Sequence, residues 1–357
     1  MDHFLYFVMA LQPHIMRMRK FPGLIIACLL LQSATAQDPN FSQFFVSPLT
    51  LNPALTGKFN GNFRIAGNYR DQWPAISKAF ITSTASFDVP LMRNRISELD
   101  TWGVGVLAMT DKTANGILST NLLAITTAYH KGLDEDGLHS IGFGFQGTYN
   151  TKRLDGTKLN FEEELDQFGG WTIPSGEPVD SRMINLSYFD VSVGVLYNGS
   201  SDGYNNYYLG ISAYHLNKPK ESFAGDIYYT LNPRITAHAG GAIPLGDNSR
   251  TIYLSSLFSR QAGATNIVAG GAVGFNMNQD EENPTNFYAG LWTRFNNVND
   301  ALIPYLGLEF GGFRLGASYD VNISSLKTAS PSRGGLEISL IYTNLPLGNR
   351  GVPCPKF

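Results

Sequence analysis

The sequence contains little charge. Charged residues make up 15% of its 357 residues, well below the roughly 25% that is usual for soluble globular chains. The formal net charge is −3 and no long basic run is present, which excludes electrostatic recognition of nucleic acid. Aromatic residues make up 12% of the chain. A disordered chain contains far fewer residues that can build a core, so disorder is excluded as well.

Two further absences narrow the class. The longest clean apolar run, residues 24–31, is much shorter than the roughly 20 residues that a membrane-spanning helix needs. The chain has two cysteines, Cys28 and Cys354, and only Cys354 lies in the predicted mature chain, so an internal disulfide is excluded there. A weakly charged, Gly- and Tyr-rich chain without a spanning helix fits two classes, a soluble secreted β-protein or a membrane β-barrel.

The first 36 residues have the pattern of an export signal. A basic stretch at 17–20 precedes the apolar run 24–31, and small residues at positions 34–36 precede Gln37. This order of basic, apolar and small residues is typical of a secretory signal peptide. The sequence therefore predicts a signal peptide over 1–36 and a mature chain that begins at Gln37.

Two points about this signal stay open. If translation begins at Met16 or Met18, residues 1–15 are an upstream extension that is not part of the protein. The stretch 25–28 also matches a lipoprotein signal, in which Cys28 would carry the lipid. The apolar run continues past Cys28, whereas a lipidated cysteine usually leads into a polar linker, so the cleaved signal peptide is favoured.

Residues of alternating polarity follow from position 61 onward. Within 140–150, for example, Phe143, Phe145 and Tyr149 share one face, and Gln146 and Thr148 share the other. A period of two is typical of β-strands with one apolar and one polar face. Fourteen segments show it: 61–72, 79–89, 102–110, 120–131, 139–151, 186–199, 205–216, 234–245, 250–260, 265–278, 284–295, 301–310, 312–321 and 335–343.

These segments predict an all-β fold, a single-domain transmembrane antiparallel β-barrel of about fourteen strands over 61–343. Most segments are long enough for a tilted transmembrane strand of about 9–11 residues, and the even number suits bacterial barrels. The longest connection, 152–185, follows an odd-numbered strand, and connections after odd strands are generally the longer set. With the N-terminus in the periplasm, these connections face outward. The C-terminal tail is 344–357.

The two faces of the segments differ in a way that favours a barrel over a soluble sandwich. The polar face consists mainly of Gly, Ser, Thr and Asn, which suits a narrow or water-filled lumen. The apolar face carries Phe, Tyr, Ile, Leu and Val, which suits a lipid-facing band with aromatic girdles. Girdle residues are predicted near strand ends: Trp102, Tyr129, Tyr149, Tyr197 and Tyr342.

No pattern indicates a catalytic, cofactor or metal site. Residues 142–147 match GxGxxG, but they lie within an alternating strand that no helix follows, so dinucleotide binding is not supported. The acidic stretch 162–166 is expected to be solvated rather than to bind calcium. The histidines of the mature chain lack the spacing of a zinc pair and are expected at strand ends; they are His130, His139, His215 and His238.

Charged residues on the polar face are the candidate functional residues. Alternation directs seven of them into the lumen, and closure of the barrel would bring the first and last strands together. They are Arg64, Arg70, Asp88, Glu309, Arg314, Asp320 and Glu337. Buried charges are costly unless they are paired, so we expect a network that braces the seam. The alternative is a site that grips a plug or an incoming peptide.

Motifs at both ends of the mature chain resemble a known family. The N-terminal stretch 37–57 contains QDPNFSQFF and SPLTLNPALTG, residues 68–74 read NYRDQWP, residues 214–219 read YHLNKP, and 334–340 read GGLEISL. In this order, together with the tail VPCPKF, they resemble the PorP/SprF family of outer-membrane proteins of the type IX secretion system.

The resemblance implies a function that alternation does not. Members of the family are barrels without known enzymatic activity, associated with secretion or surface attachment of proteins that bear a type IX sorting domain, often a large adhesin. The expected partners are this cargo, other secretion components and outer-membrane lipid. The alternative function is a general diffusion or transport porin. The segment 37–60 has three prolines and no clear period, and it could plug the lumen or lie in the periplasm.

Overall fold

A computed structural model describes most of the mature chain. The described residues are 38–74, 80–92, 99–177, 182–223, 229–246, 249–278, 285–296, 300–324, 327 and 332–345. The predicted signal peptide 1–36 and most of the C-terminal tail lie outside them. Among the described residues, no helix is both long enough and apolar enough to cross a membrane.

The described residues form fourteen strands that close into one antiparallel barrel. The strands are β1 Arg64–Gln72, β2 Phe80–Leu91, β3 Thr101–Thr113, β4 Leu118–Gly132, β5 Ser140–Asp155, β6 Met183–Gly199, β7 Asn206–Tyr214, β8 Arg234–Leu245, β9 Arg250–Gln261, β10 Ala264–Asn276, β11 Asn286–Phe295, β12 Ala301–Phe310, β13 Phe313–Asn322 and β14 Arg333–Thr343. Each strand pairs with its sequence neighbours, and β1 pairs with β14 from Arg64 opposite Thr343 to Gln72 opposite Gly335. Closure leaves no unpaired edge.

The helices are short and lie in connections or ahead of the barrel. Three single turns precede β1, namely Phe44–Val46, Pro48–Leu51 and Pro53–Leu55. Three further 3₁₀ turns lie after β3 and β5, namely Ala114–Gly116, Gly156–Lys158 and Glu162–Glu164.

The barrel has two different ends. The connections after odd-numbered strands include the two longest, 156–182 and 215–233, and we name that side the long-loop end. No connection after an even-numbered strand is longer than nine residues, and we name that side the short-loop end. Strands therefore run alternately toward one end and the other, and β1 begins at the short-loop end.

Side chains alternate between an exposed outer wall and a buried interior. In β5, Phe143, Phe145 and Tyr149 are about half exposed, whereas Gln146 and Thr148 are almost fully buried. A polar interior with an apolar exterior is the arrangement that a lipid-embedded barrel requires, because lipid contacts only the outer wall.

The core of the molecule lies inside the barrel. Residues 38–60, which we name the lumen segment, pack among the inward-facing side chains of the wall. Leu49, Asn52 and Ala54 in this segment have no exposed surface. Phe44 and Leu51 join one apolar cluster with inward-facing residues of β9 to β12.

The strand boundaries agree closely with the alternation. β8 and β12 have the predicted bounds, 234–245 and 301–310. The largest differences are at β1, which begins at Arg64 rather than 61, at β3, which ends at Thr113 rather than 110, and at the β5–β6 ribbon. The chain at 61–63 is still turning from the lumen into the wall, where Asn62 N–H donates to the carbonyl of Asn344. The ribbon extends to Asp155 and Met183 because its backbone pairing continues into the longest connection.

Candidate functional site in the lumen

The lumen segment runs along the barrel from one end to the other. Its first described residue, Asp38, contacts His215 and Gln261, which lie where β7 and β9 reach the long-loop end. Its later residue Gly57 donates a backbone hydrogen bond of 2.8 Å to Asp88, near the short-loop end of β2. The segment therefore traverses the lumen before the chain enters the wall.

At the long-loop end, an ionic cluster holds the start of the segment. Asp38 Oδ2 lies 2.7 Å from His215 Nε2 and 3.4 Å from an Arg234 nitrogen, and its backbone N–H donates to Gln261 Oε1 at 2.8 Å. The other imidazole nitrogen of His215 lies 3.0 Å from Asp190 Oδ2. His215 is thus placed between two carboxylates.

Protonation of this cluster follows from its charges. Burial opposes a charge on His215, but the carboxylates of Asp38 and Asp190 outweigh this effect and raise its pKa to about 9. Burial would raise the pKa of Asp38, yet Arg234 and His215 together lower it well below its usual value. Near neutral pH, a His215 cation and an Asp38 anion therefore face each other.

Four residues further along the lumen segment, a second cluster surrounds Ser42, where β1, β11 and β13 approach the long-loop end. Two arginines from the wall, Arg70 and Arg294, donate to the Ser42 hydroxyl at 2.6 and 3.1 Å. That hydroxyl donates in turn to Asp320 at 2.7 Å. The backbone N–H of Ser42 donates to Glu337 at 2.8 Å. A neutral serine is therefore placed between two cations and two anions.

The charges of this cluster also pair directly. Arg70 lies 2.9 Å from Asp320 and 3.2 Å from Glu337, and Arg294 lies 2.6 Å from Asp320. Each of the four side chains has at most 3% of its surface exposed. Burial of charge at this depth is tolerated because two positive and two negative groups satisfy one another. Gln43 adds a second backbone donor to Glu337, at 3.0 Å.

Near the short-loop end, a third group fastens the exit of the segment. Arg64 donates from Nε and a terminal nitrogen to the two oxygens of Asp88, at 3.0 and 2.8 Å. The same guanidinium donates to the carbonyl of Leu55 at 3.1 Å and lies over the ring of Phe59. This bidentate pair is the strong geometry for an arginine and a carboxylate.

Between the charged groups, Asn52 packs directly against the wall. Its amide nitrogen donates to the carbonyl of Val195 at 3.0 Å and lies 3.0 Å from His238 Nε2. A Cβ on Gly194 would lie 1.8 Å from the Asn52 amide oxygen, and one on Gly144 would lie 2.2 Å from the Ala54 nitrogen. The lumen segment thus occupies the space that missing side chains leave in the wall. Gly144 belongs to the GxGxxG stretch, so this contact is the physical role of one of its glycines.

The wall directs several aromatic side chains inward, two from β7, Tyr208 and Tyr214, and four from β9 to β12. Tyr253, Tyr288, Trp292 and Tyr305 are all buried. Phe45 of the lumen segment lies 4.9 Å from the Trp292 ring and 5.6 Å from the Tyr305 ring, between ring centroids. The expectation that aromatic residues face lipid is therefore wrong in this part of the wall. The reason is that the lumen segment supplies an apolar surface inside the barrel.

The seven predicted lumen charges all contact other groups inside the barrel, but they form three groups rather than one. Arg70, Asp320 and Glu337 meet around Ser42, whereas Arg64 pairs with Asp88 at a different depth. The remaining two, Glu309 and Arg314, lie 3.6 Å apart and form a separate pair. Tyr288 also donates a hydrogen bond to Glu309.

Sequence reasoning missed several members of these groups. Arg294 and Trp292 lie on the same inward face of β11. Because we expected aromatic residues to face lipid, the pattern gave no reason to place Arg294 in the lumen. Ser42 and Asp38 lie in a segment without periodicity, so no signal indicated their position. His238 was expected at a strand end, yet it lies within β8. Its buried imidazole has a polar partner there, the amide nitrogen of Asn52.

The described residues offer little for other chemistry. No group of three or more His, Cys, Asp or Glu side chains among them is arranged to hold a metal ion. In the acidic stretch of the longest connection, Asp166 accepts hydrogen bonds from the backbone of Phe168 and Gly170 and from Thr172. These carboxylate oxygens stabilise their own loop.

Several solved outer-membrane proteins resemble this chain at low sequence identity. They include CdiB from Acinetobacter baumannii, with 9% identity and a TM-score of 0.38 over 78% of this chain and 59% of that one. A Pseudomonas aeruginosa FadL homologue has 10% identity and a TM-score of 0.43 over 82% and 92%. BamA from Haemophilus ducreyi has 11% identity and a TM-score of 0.41 over 80% and 70%. The chain spans less than two thirds of CdiB, and no curated protein matches it.

A family model decides the relationship. Residues 33–342 match the model described as type IX secretion system membrane protein PorP/SprF. The chain belongs to the PorP/SprF family.

Membership in the PorP/SprF family confirms the resemblance carried by the terminal motifs. The fourteen-strand antiparallel barrel confirms the predicted all-β fold. This PorP/SprF protein is a membrane protein of the type IX secretion system, located in the bacterial outer membrane. Its family is a secretion-system barrel family and not a known family of enzymes.

Proposed function

We propose that this PorP/SprF protein is needed for secretion or surface attachment of a cognate protein that bears a type IX sorting domain, such as a large adhesin. The observation that supports this function best is the filled lumen. The segment 38–60 is anchored at three points along its length, by Asp38, Ser42 and Gly57. A diffusion porin needs a water-filled passage, so the filled lumen favours a scaffold that other proteins contact.

The charge groups then act as fasteners of a plug. The hydrogen bonds and ion pairs of Asp38, Ser42, Asn52 and Gly57 would all have to break for the lumen segment to leave, and each buried group would need a new partner. The barrel is in this way held closed while it serves as a membrane platform. Other type IX components are the partners that the family suggests.

We further propose that the long-loop end faces the exterior. Short turns on the periplasmic side and longer loops outside are the usual arrangement of bacterial barrels. The connection 156–182 then faces the medium. It carries Phe168, which is 88% exposed, and Trp171, which is 52% exposed. Exposed aromatic side chains of this kind are typical of contact surfaces for proteins.

A deletion strain tests the function. Loss of the gene is expected to leave one sorting-domain protein unsecreted or released from the cell surface, as measured by mass spectrometry of medium, surface and cell fractions. The wild-type gene restores it. In the deletion strain, the double variant F168S/W171S is expected to produce a folded barrel in the outer membrane, as heat-modifiable gel mobility would show. It is not expected to restore display of the cargo on the cell surface. Normal display of every sorting-domain protein in the deletion strain contradicts the proposal.

Planar bilayers separate this function from the porin alternative. The purified barrel is expected to show no steady ion conductance, because the lumen segment occupies the lumen. A stable conductance of the wild-type protein, together with a solute-uptake defect in the deletion strain, would instead support a porin.

A further inference from the structure

The outer wall of β2 to β6 changes from apolar to polar at a sharp boundary. Strand register arranges its outward side chains in rows that run around the barrel. From the short-loop end, four rows are largely apolar: Leu91, Trp102, Tyr129, Phe143 and Val195; Val89, Val104, Thr127, Phe145 and Val193; Phe87, Val106, Ile125, Gly147 and Val191; Ala85, Ala108, Leu123, Tyr149 and Phe189.

The next two rows toward the long-loop end are different. The fifth row is polar throughout and consists of Ser83, Thr110, Asn121, Thr151 and Ser187. The sixth row consists of Ile81, Lys112, Ser119, Arg153 and Asn185. Four rows at about 5 Å each give an apolar band of roughly 20 Å, close to the band height of outer-membrane barrels. The fifth and sixth rows therefore lie just beyond the apolar band, on its long-loop side.

A cavity of about 530 Å³ opens beside these two rows on the outward face. Lys112, Ser119 and Arg153 of the sixth row line it, together with Asn121 of the fifth row and Lys158 from the connection after β5. This volume is in the range of small-molecule sites. Lys112 and Arg153 lie two strands apart, so their Cα atoms are separated by about 10 Å. Flexible side chains at that spacing can converge on one group.

The cavity is cationic. Lys158 lies 3.5 Å from Asp155, which is the acidic residue of the lining. Among the described residues, Lys112 and Arg153 form no ion pair. Arg153 donates a hydrogen bond to the Met183 sulfur at 2.7 Å, which leaves its other nitrogens for a ligand. The hydroxyl of Ser119 and the amide of Asn121 add neutral hydrogen-bonding groups between the cations.

We propose that this cavity binds the phosphate group of a membrane lipid headgroup. Arginine and lysine are the side chains that recognise phosphate. A soluble anion would need no apolar surface, whereas this site lies directly beyond the apolar band. The acyl chains of a lipid would cover the row of Leu123 and Tyr149, and its phosphate would contact Lys112 and Arg153. With the orientation proposed above, the lipid is the phosphorylated glycolipid of the outer leaflet, lipid A.

Binding of diphosphoryl lipid A to the purified full-length barrel tests the site, with native mass spectrometry as the measurement. The variant K112Q/R153Q is expected to bind at least about tenfold more weakly, because two charge-assisted contacts are lost. The matched control is R260Q, since Arg260 is an exposed, outward-facing cation at the long-loop end of β9. It is expected to bind like wild type. Lipid A without phosphates is expected to bind as weakly to wild type as diphosphoryl lipid A binds to the double variant.

Three outcomes overturn the proposal. Equal losses in K112Q/R153Q and R260Q show that binding follows total charge. Inorganic phosphate that displaces the lipid at equal concentration shows a site for a free anion. Unchanged binding in the double variant shows that the cavity takes no lipid. Heat-modifiable mobility verifies that each variant is folded, and the single variants K112Q and R153Q replace the double variant if it is not. Because lipid binding is measured on purified protein, its failure is distinct from a failure of the secretion experiment.

Discussion

The backbone nitrogen of Ser42 donates a 2.8 Å hydrogen bond to the Glu337 carboxylate, 295 residues further along the chain. Glu337 lies in the last strand of the wall, and Ser42 precedes the first. Closure of the barrel and insertion of the lumen segment are thus linked at one carboxylate. Both processes depend on the same four buried charges.

Substitution of Glu337 by glutamine tests this link. The variant E337Q leaves Arg70 and Arg294 with Asp320 as their remaining anion, so a buried positive charge lacks compensation. We expect a loss of about 3–5 kcal/mol in the free energy of unfolding, measured by denaturant titration of heat-modifiable mobility in detergent. The control E177Q removes an exposed loop carboxylate and is expected to change stability little. Equal stability of the two variants would show that the cluster contributes nothing.

Removal of residues 38–57 tests whether the lumen segment occludes the barrel. The fourteen strands retain their pairing, while the lumen loses the side chains that fill it. We expect a steady ion conductance in planar bilayers where the full-length barrel has none. A deletion variant that folds, as heat-modifiable mobility would show, yet stays non-conducting would refute occlusion by this segment.

Two glycines of β5 form a matched pair. A Cβ at Gly144 would lie 2.2 Å from the Ala54 backbone nitrogen inside the lumen, whereas one at Gly147 meets the tip of the Phe189 ring on the outer wall at 3.1 Å. Backbone atoms cannot move aside as a ring can. We expect G144A to cost about 1–3 kcal/mol through overpacking and to make the lumen segment sensitive to protease. G147A is expected to be near neutral, and a larger effect of G147A would argue against this packing.

The anchor at the long-loop end predicts a pH dependence. His215 has a pKa raised to about 9, so its contribution is fully present below its unfolded pKa of about 6.5 and is lost as pH rises through about 9. Asp38 has a lowered pKa, so its contribution is present above its unfolded value of 3.8 and is lost as pH falls below it. The anchor is therefore strongest between these limits.

A spin label near Asp38 measures this dependence. Its mobility is expected to be low at pH 6 and to increase between about pH 8 and 10. The variant H215Q keeps a hydrogen-bonding side chain without the titration, so its mobility is expected to stay constant over that range. An increase of the same size in H215Q would assign the effect to another group.

Alternation along the chain was sufficient to predict the wall. Because a strand exposes successive residues to opposite sides, the pattern is local, and the bounds of β8 and β12 could be read from it directly. The same parity directed Arg70, Asp320 and Glu337 inward. Their pairing with one another depends on closure between β1 and β14, which the even number of strands made it possible to anticipate.

The sequence by itself determined the strands, their parity and, through the terminal motifs, the family. Only the tertiary structure decided what fills the barrel. The segment 38–60 has no period, so its place depends on distant partners such as Asp88, Glu337 and His238. Its insertion also reverses the usual direction of Trp292 and Tyr305, which face inward because Phe45 gives them an apolar surface. Low charge in the sequence therefore reflects lipid outside and a filled interior within, where most buried polar side chains are neutral.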